Sequence, residues 1–434
     1  MFTDRYHRFI PGPAEIHTNK VLFYNKMKSI ALYYSTKYQQ EETPVDTNKE
    51  TMPNEELIKE GEANGSDMKD ESKNDLKTEF HVNIWKVEEG TYKLSPRFYF
   101  DFGVMFPKEY KALCLYLPFE IEGTPEDLSG YLTGNQSTLS AVFNADTRTW
   151  AHYNPNYFNV TFVGGDKKFY FYKLGSSNFE KTNFSKEDPK LGFFLKIFIN
   201  GDVDKDKGKN DIDADLKYVR FRVMLAKDSS FIRTEQISND LLQAAFSSTD
   251  LIDVRINESR VLDTKIRERM EQKDFEPFEF DKIHLFYMVD TRENVDNGSS
   301  LKQDTRIVEQ EQWGDYIPKT SLHNTTFVAY HWKKRRKYID EINKKKEDPI
   351  KTFNVFFSTI YPKTNIKRLA AYTFVVVVLG FIGSMLSFRL NQLTYDWWQS
   401  LLRPAIIVMM LLFVAGYFIK QNFGGKGFEI FRKR

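Results

Sequence analysis

The chain has 434 residues, 62 Lys and Arg against 60 Asp and Glu, 41% hydrophobic and 15% aromatic content, and a single cysteine, Cys114. That length and apolar content suffice to bury the core of one large or two ordinary domains and exclude a wholly disordered chain. A net charge of +2 argues against a nucleic-acid coat protein, so no specific nucleic acid is expected as a partner. One cysteine excludes a disulfide framework or a multi-cysteine zinc site.

In residues 1–40, Phe23, Met27, Ile30 and Tyr34 recur at helical spacing between Lys26 and Lys37. They predict a basic amphipathic helix that either lies on an anionic membrane surface, docks on a partner, or packs on the main domain. Met1 to Pro13 is polar and Val21 to Tyr34 is interrupted, so no secretory leader is expected. Residues 41–79 carry thirteen acidic and five basic side chains and no aromatic. Such a stretch cannot bury enough apolar surface to offset its ordering entropy, and is expected to be a disordered acidic linker that lets the first forty residues act at a distance.

From 80 to 332 the pattern is short aromatic and β-branched runs punctuated by Gly, Asn, Asp and Pro. Phe98, Phe100 and Phe102 alternate with Tyr99 and Asp101, and Val219, Phe221 and Val223 alternate with Tyr218, Arg220 and Arg222. Phe158 to Val163 and Lys168 to Lys173, joined by Gly164, Gly165 and Asp166, read as a hairpin. Further strands are expected at 112–119, 192–199, 252–256, 282–289 and 326–332, with helices only at 239–246 and 261–273. About ten closely spaced strands predict a mainly β fold, an antiparallel sandwich or barrel-like domain with a few helices. Asp202, Asp204 and Asp206 are weak metal-ligand candidates: in EF-hand register the turn glycine and bidentate Glu are replaced by Lys207 and Asp213.

Residues 333–366 hold the basic clusters Lys333 to Lys337 and Lys344 to Lys346, then a helical-spaced stripe of Ile350, Phe353, Phe357 and Ile360. This predicts a juxtamembrane helix, with Lys344, Lys345, Lys346, Phe353 and Phe357 against lipid headgroups. The twenty residues 369–388 carry no charge, and 404–419 form a second apolar run, so a transmembrane hairpin is expected over 367–420, followed by a basic tail, 421–434. Twelve basic and four acidic residues precede the hairpin, and five basic and one acidic follow it, whereas the connection holds two basic and one acidic. The excess places both termini in the cytoplasm of a two-helix integral membrane protein. Seven Asn-x-Ser/Thr triplets are therefore read as chance rather than as glycan acceptors. Gly380 with Ser384 and Gly383 with Ser387 set small residues four apart, a pattern that permits close helix association and so a homo-oligomer.

No phosphate-binding loop, dinucleotide fingerprint, nucleophile elbow or paired-histidine zinc motif occurs, and the seven histidines are scattered. Cys114, inside an apolar run, reads as a core side chain. No cofactor is expected. The layout, a folded cytosolic β-domain ahead of a small membrane anchor, resembles in arrangement alone the two-helix membrane effectors of bacterial antiviral defence. The expectation is a membrane-anchored, non-enzymatic binding protein whose partners are the lipid bilayer and an unknown protein or small-molecule ligand. A membrane-tethered scaffold and an enzyme whose site forms only by tertiary convergence stay open beside it.

Overall fold

A computed structural model describes residues 29–37, 78–88, 96–150, 156–165, 167–184, 192–199, 214–227, 231–235, 246–313, 316–317, 326–340, 348–363 and 366–391, with isolated positions at 229, 345–346, 405 and 408–409. In chain order the strands begin with β1 (Ala31–Ser35), β2 (Glu79–Glu88), β3 (Pro96–Pro107), β4 (Ala112–Leu117), β5 (Ile121–Asp127), β6 (Thr147–Trp150) and β7 (Tyr157–Phe162). There follow β8 (Lys168–Tyr172), β9 (Phe179–Asn183), β10 (Phe193–Phe198), β11 (Leu216–Leu225), β12 (Ile232–Glu235), β13 (Ser247–Ile256) and β14 (Glu276–Pro277). The last are β15 (Lys282–Asp290), β16 (Asn294–Asn297), β17 (Gln303–Ile307), β18 (Phe327–Arg335), β19 (Tyr338–Asp340), β20 (Lys345–Lys346) and β21 (Phe353–Pro362).

The fold is mainly β, and two layers share one core. The first is a ten-stranded sheet, β17-β18-β15-β2-β3-β11-β8-β7-β6 with β5 also on β11. The second joins a five-stranded sheet, β14-β1-β4-β10-β9, to a four-stranded sheet, β12-β13-β21-β16, through a bridge from Ile30 to Ile256. Between them lie Phe80, Val82 and Ile84 of β2, Leu113 and Leu115 of β4, and Phe353, Val355 and Phe357 of β21, all in one buried cluster. The large sheet is mixed rather than wholly antiparallel, since β2 runs parallel to β15 and β8 parallel to β11. Long crossovers make such pairing possible, and strand runs alone do not reveal them.

Helices cover the outer faces. Ser129–Gly134, Gln136–Phe143 and Gln310–Trp313 lie over the ten-stranded sheet, burying Leu132, Leu139 and Trp313 against Trp85, Phe169 and Tyr218. Thr264–Glu271, which falls in the expected 261–273 segment, covers the five-stranded sheet with Ile266 and Met270 against Cys114. Burial pushes the Cys114 thiol up to about 12, which leaves it an inert core side chain. The expected hairpin forms as β7 and β8. Of the Asn-x-Ser/Thr triplets, Asn159 is buried within β7, and Asn257 is held by the Leu32 amide and the Phe278 carbonyl.

Three expected boundaries change. Tyr34 belongs to a strand, and Ile30 to a bridge just before it, rather than to an amphipathic helix: β1 lies between β4 and β14, and Ile30, Ala31, Leu32 and Tyr33 are all buried. A continuous apolar run buried on both faces overrides the 3.6-residue spacing. Phe23 and Met27 lie outside the described residues, but residues 30–35 pack within the β-sheet core and do not act at a distance from it. The acidic linker lies outside the described residues except Thr78 and Glu79, which are buried at the start of β2. The expected juxtamembrane helix is the strand β21, whose burial alternates strictly: Phe353, Val355, Phe357, Thr359 and Tyr361 face inward. Its β-branched and aromatic residues at period two outweigh the helical stripe drawn through Ile350, Phe353, Phe357 and Ile360.

After β21 the helix Ile366–Asn391 contains Leu369–Phe388, twenty residues of mean hydropathy 2.2. It is long and apolar enough to cross a bilayer, and only 17% of its most apolar window is buried. The second apolar run, 404–419, lies outside the described residues except at Ala405, Val408 and Met409.

Candidate functional site: a capped cavity and two buried charge clusters

Strand pairing lays polar side chains in rows across the outer face of the ten-stranded sheet. One row joins Arg220 of β11, Gly103 of β3, His81 of β2 and His284 of β15; the next joins Arg222, Asp101, Asn83, Phe286 and, on β18, His331. Asp101 is fully buried and is the hub of the second row. Arg222 donates to it from Nε at 2.6 Å and Nη2 at 3.0 Å, Trp85 Nε1 at 2.8 Å, and the Tyr316 hydroxyl at 2.8 Å. Burial alone would raise the Asp101 carboxyl, but the Arg222 ion pair outweighs it and holds the group below the usual carboxylate range. Arg220, with no exposed surface, donates to the Tyr316 hydroxyl at 2.8 Å and to the Tyr218 hydroxyl at 3.1 Å. Gly103 opens this space: a Cβ there would collide with the Tyr218 hydroxyl.

Next to this hub the sheet gathers three histidines that are far apart in sequence. The His81 and His284 ring centroids are 5.2 Å apart, and His284 Nδ1 lies 2.8 Å from His331 Nε2. Burial, together with the nearby cations, pushes His284 down to about 2 and His331 down to about 4. His81 is lowered as well, again by burial, against the pull of Glu79 at 3.3 Å. Glu79 also meets Lys167 at 2.8 Å and Lys282 at 3.3 Å.

Beside Asn83 and Phe286 lies a cavity of about 60 Å³. Trp85, Met288 and Ala329 line it from the sheet, Val142 and Trp313 from the covering helices, and the exposed Arg306 and Glu309 complete the lining. Asn83 is 4% exposed, and its Oδ1 has no hydrogen-bond partner among the described residues. Leaving a buried acceptor unmade costs about 1–3 kcal/mol, and Asn83 is among the residues that line the cavity. Its volume admits a few waters or a small end group, not an enclosed aromatic ring.

A second charge cluster lies between the layers, where β21 ends. Lys86 Nζ donates to Glu293 Oε2 at 2.8 Å and forms an ion pair with Asp250, 2.9 Å from its Oδ2. Thr359 donates to Glu293 at 2.9 Å, Thr234 to Asp250 at 2.7 Å, and the Tyr361 hydroxyl to Asp250 at 3.3 Å. The Tyr361 ring lies 3.4 Å from the Lys86 ammonium. Burial pushes the Glu293 carboxyl up further than Lys86 pulls it down.

Few of the site residues expected from the sequence converge here. Asp202, Asp204 and Asp206 lie outside the described residues, among which no group of three or more potential ligands could hold a metal ion. Phe353 and Phe357 are 1% and 0% exposed and belong to the core, so neither can meet headgroups. Lys345 and Lys346 form β20, paired with β19, and Lys344 lies outside the described residues. On the apolar helix Gly380, Gly383, Ser384 and Ser387 are exposed, whereas Ala371, Val378 and Ile382 are buried. The histidine group and the Asp101 hub are legible only once β2 is known to lie between β3 and β15. No protein-family model and no curated protein matches the chain.

Proposed function

We propose that the protein is a membrane-anchored, non-enzymatic binding protein whose β-domain recognises a small ligand or partner at the capped cavity beside Asn83. The reading rests on one conjunction: a helix of membrane-spanning length follows a strand of a domain that holds a cavity lined by a buried amide whose oxygen has no partner among the described residues. In this reading the apolar run 404–419 completes a hairpin, both termini are cytoplasmic, and copies associate through Gly380, Gly383, Ser384 and Ser387. The uncovered state of those four positions supports such contact, since small residues let backbones approach closely in lipid.

The test is made on the full chain in its own membranes. Alkaline carbonate should leave the protein in the pellet, and protease added to intact cells should spare the β-domain. Cross-linking should give an oligomer ladder that Gly383→Leu removes without loss of insertion. For the cavity, mass spectrometry of the detergent-purified protein should find a co-purifying small molecule that Asn83→Leu abolishes. Release by carbonate overturns the anchor, and an Asn83→Leu variant that retains every bound species overturns the site.

A further inference from the structure

Among the described residues ahead of the apolar helix, five large apolar side chains are exposed: Val163, Phe246, Ile307, Phe356 and Ile360. Single exposed apolar residues are ordinary. Their distribution here is not, because three of the five lie on β21 or beside its end. Ile360 and Phe356 belong to β21, and the Phe246 carbonyl accepts the Lys363 amide at 2.8 Å, next to the pairing of Ser247 with Pro362. Phe356 has a local partner, since its ring lies against Gly298, and it stands four residues, about 13 Å, farther from the helix than Ile360. Phe246 and Ile360, 46% and 38% exposed, remain to be explained.

Their position relative to a membrane is bounded by chain length. From Lys363 to Ile366 the backbone covers at most about 10 Å, and the first helical residues to Leu369 add about 5 Å. Lys363 is therefore at most about 15 Å from the start of the apolar span, Phe246 across the strand pair at most about 20 Å, and Ile360, three strand residues back, at most about 25 Å. A bent connection shortens both. The headgroup layer itself is about 5–7 Å deep on each side of the hydrocarbon. Lys363 is exposed at the same end.

We propose that this end of the four-stranded sheet is a membrane-docking lip. Phe246 and Ile360 enter the interfacial layer of the bilayer that Leu369–Phe388 crosses, and Lys363 meets the lipid phosphates. The inference rests on the reading of that helix as a membrane anchor. It replaces the lysine cluster at 344–346 and the core residues Phe353 and Phe357 as the lipid contact. Its consequence is mechanical: two side chains inserted beside the anchor restrict the tilt of the domain to the membrane.

The experiment uses the full chain in vesicles of phosphatidylcholine with one-quarter phosphatidylglycerol, with spin labels on single introduced cysteines. Cys114 is fully buried and serves as an unlabelled background. Labels go on Phe246→Cys and Ile360→Cys, on Val377→Cys within the apolar span, and on Val163→Cys at the β7–β8 turn. The native side chains at all four sites are exposed, so the replacements do not disturb the core. At positions 246 and 360 oxygen should relax the label several-fold more than a water-soluble nickel chelate, as at 377, with the reverse at 163. Greater nickel accessibility at 246 and 360, or exclusion of both reagents by a protein cover, overturns the lip. If position 377 itself reads as water-exposed, the anchor fails and the lip with it; if 377 reads as lipid while 246 and 360 read as water, only the lip fails.

Discussion

Consecutive residues of β2 enter two different charge clusters, because successive side chains of a strand point to opposite faces. Trp85 faces outward and donates to Asp101, which answers two guanidiniums, Arg222 and Arg220. Lys86 faces inward and answers two carboxylates, Asp250 and Glu293. One cluster has an excess of cation and the other an excess of anion, and the two can relieve that excess to different degrees. Arginine cannot lose its proton in a protein, so the outer cluster depends on an ionised Asp101. A carboxylate can gain one, and Glu293 is already pushed toward its neutral form. The outer cluster is locked, whereas the inner one is adjustable.

The sharpest way to break that contrast is to remove each hub. Asp101→Leu leaves two buried guanidiniums uncompensated and deprives the Trp85 indole and the Tyr316 hydroxyl of their acceptor. Breaking a buried pair costs about 3–5 kcal/mol, and each orphaned donor about 1–3 kcal/mol more. The sum is comparable with the whole stability of a domain, so the purified variant should show no cooperative unfolding transition. Lys86→Met removes the ammonium but leaves Thr234 and Tyr361 on Asp250 and Thr359 on Glu293. It should cost about 3 kcal/mol at pH 7.5. That loss should shrink at pH 5, as Glu293, held above its usual value, takes up a proton, whereas acid should not rescue Asp101→Leu. Denaturant titrations at the two pH values measure the Lys86→Met loss, and thermal melts at pH 5 show whether acid restores a transition to Asp101→Leu; a restored transition there, or a Lys86→Met loss unchanged by pH, would end the distinction between locked and adjustable.

The histidines sharpen it further. His331 and His284 are held below the usual histidine value, at about 4 and about 2, so between about pH 6.5 and 4.5 the unfolded chain binds protons that the folded chain does not. The stability gained from burying neutral rings is therefore complete above about pH 6.5 and is lost as the pH falls. Each such ring contributes a slope of about 1.4 kcal/mol per pH unit. Glu293, held above its usual value, works in the opposite direction: its share is present at low pH and lost as the pH rises through its folded value. Replacing His284 and His331 together by Gln should flatten the stability profile by about two protons in that window; an unchanged slope would show that the rings titrate normally.

How much of this was legible in the sequence follows from the kind of signal each feature leaves. Strand β11 was readable end to end, because Val219, Phe221 and Val223 alternate with polar residues. The same alternation could not show that Arg220 and Arg222 would be buried, since the cover comes from Tyr316 and the helices at 129–143, remote in sequence. The Leu369–Phe388 helix was readable because an uncharged run of twenty residues is a local property. β1 and β21 were misread as helices from four positions each. In both, the residues between the chosen positions, such as Leu32 and Val355, are themselves buried, and counting every apolar position favours the strand. His81 facing His284 depends on a parallel register across about two hundred residues, and no local pattern records it.

The smallest effects test whether the two clusters differ in wiring as well as in sign. Tyr316 and Tyr361 are both buried rings whose hydroxyls touch a carboxylate of their cluster, so replacement by Phe removes one oxygen and leaves the packing in place. The Tyr316 hydroxyl is a bridge: it donates to Asp101 at 2.8 Å while accepting from Arg220 Nε at 2.8 Å. Without it Arg220 keeps only its bond to Tyr218, and its Nη2 already lacks a partner among the described residues. Hydrogen bonds to charged groups are worth about 1.5–3 kcal/mol, so Tyr316→Phe should cost about 2 kcal/mol. The Tyr361 hydroxyl is terminal: its bond to Asp250 is 3.3 Å long, Thr234 already supplies that oxygen at 2.7 Å, and the ring stays over Lys86. Tyr361→Phe should therefore cost less than about 1 kcal/mol. Urea midpoints at unchanged slope measure both. Equal losses would mean that the hydroxyls are interchangeable partners of a buried carboxylate, and that sign alone separates the locked cluster from the adjustable one.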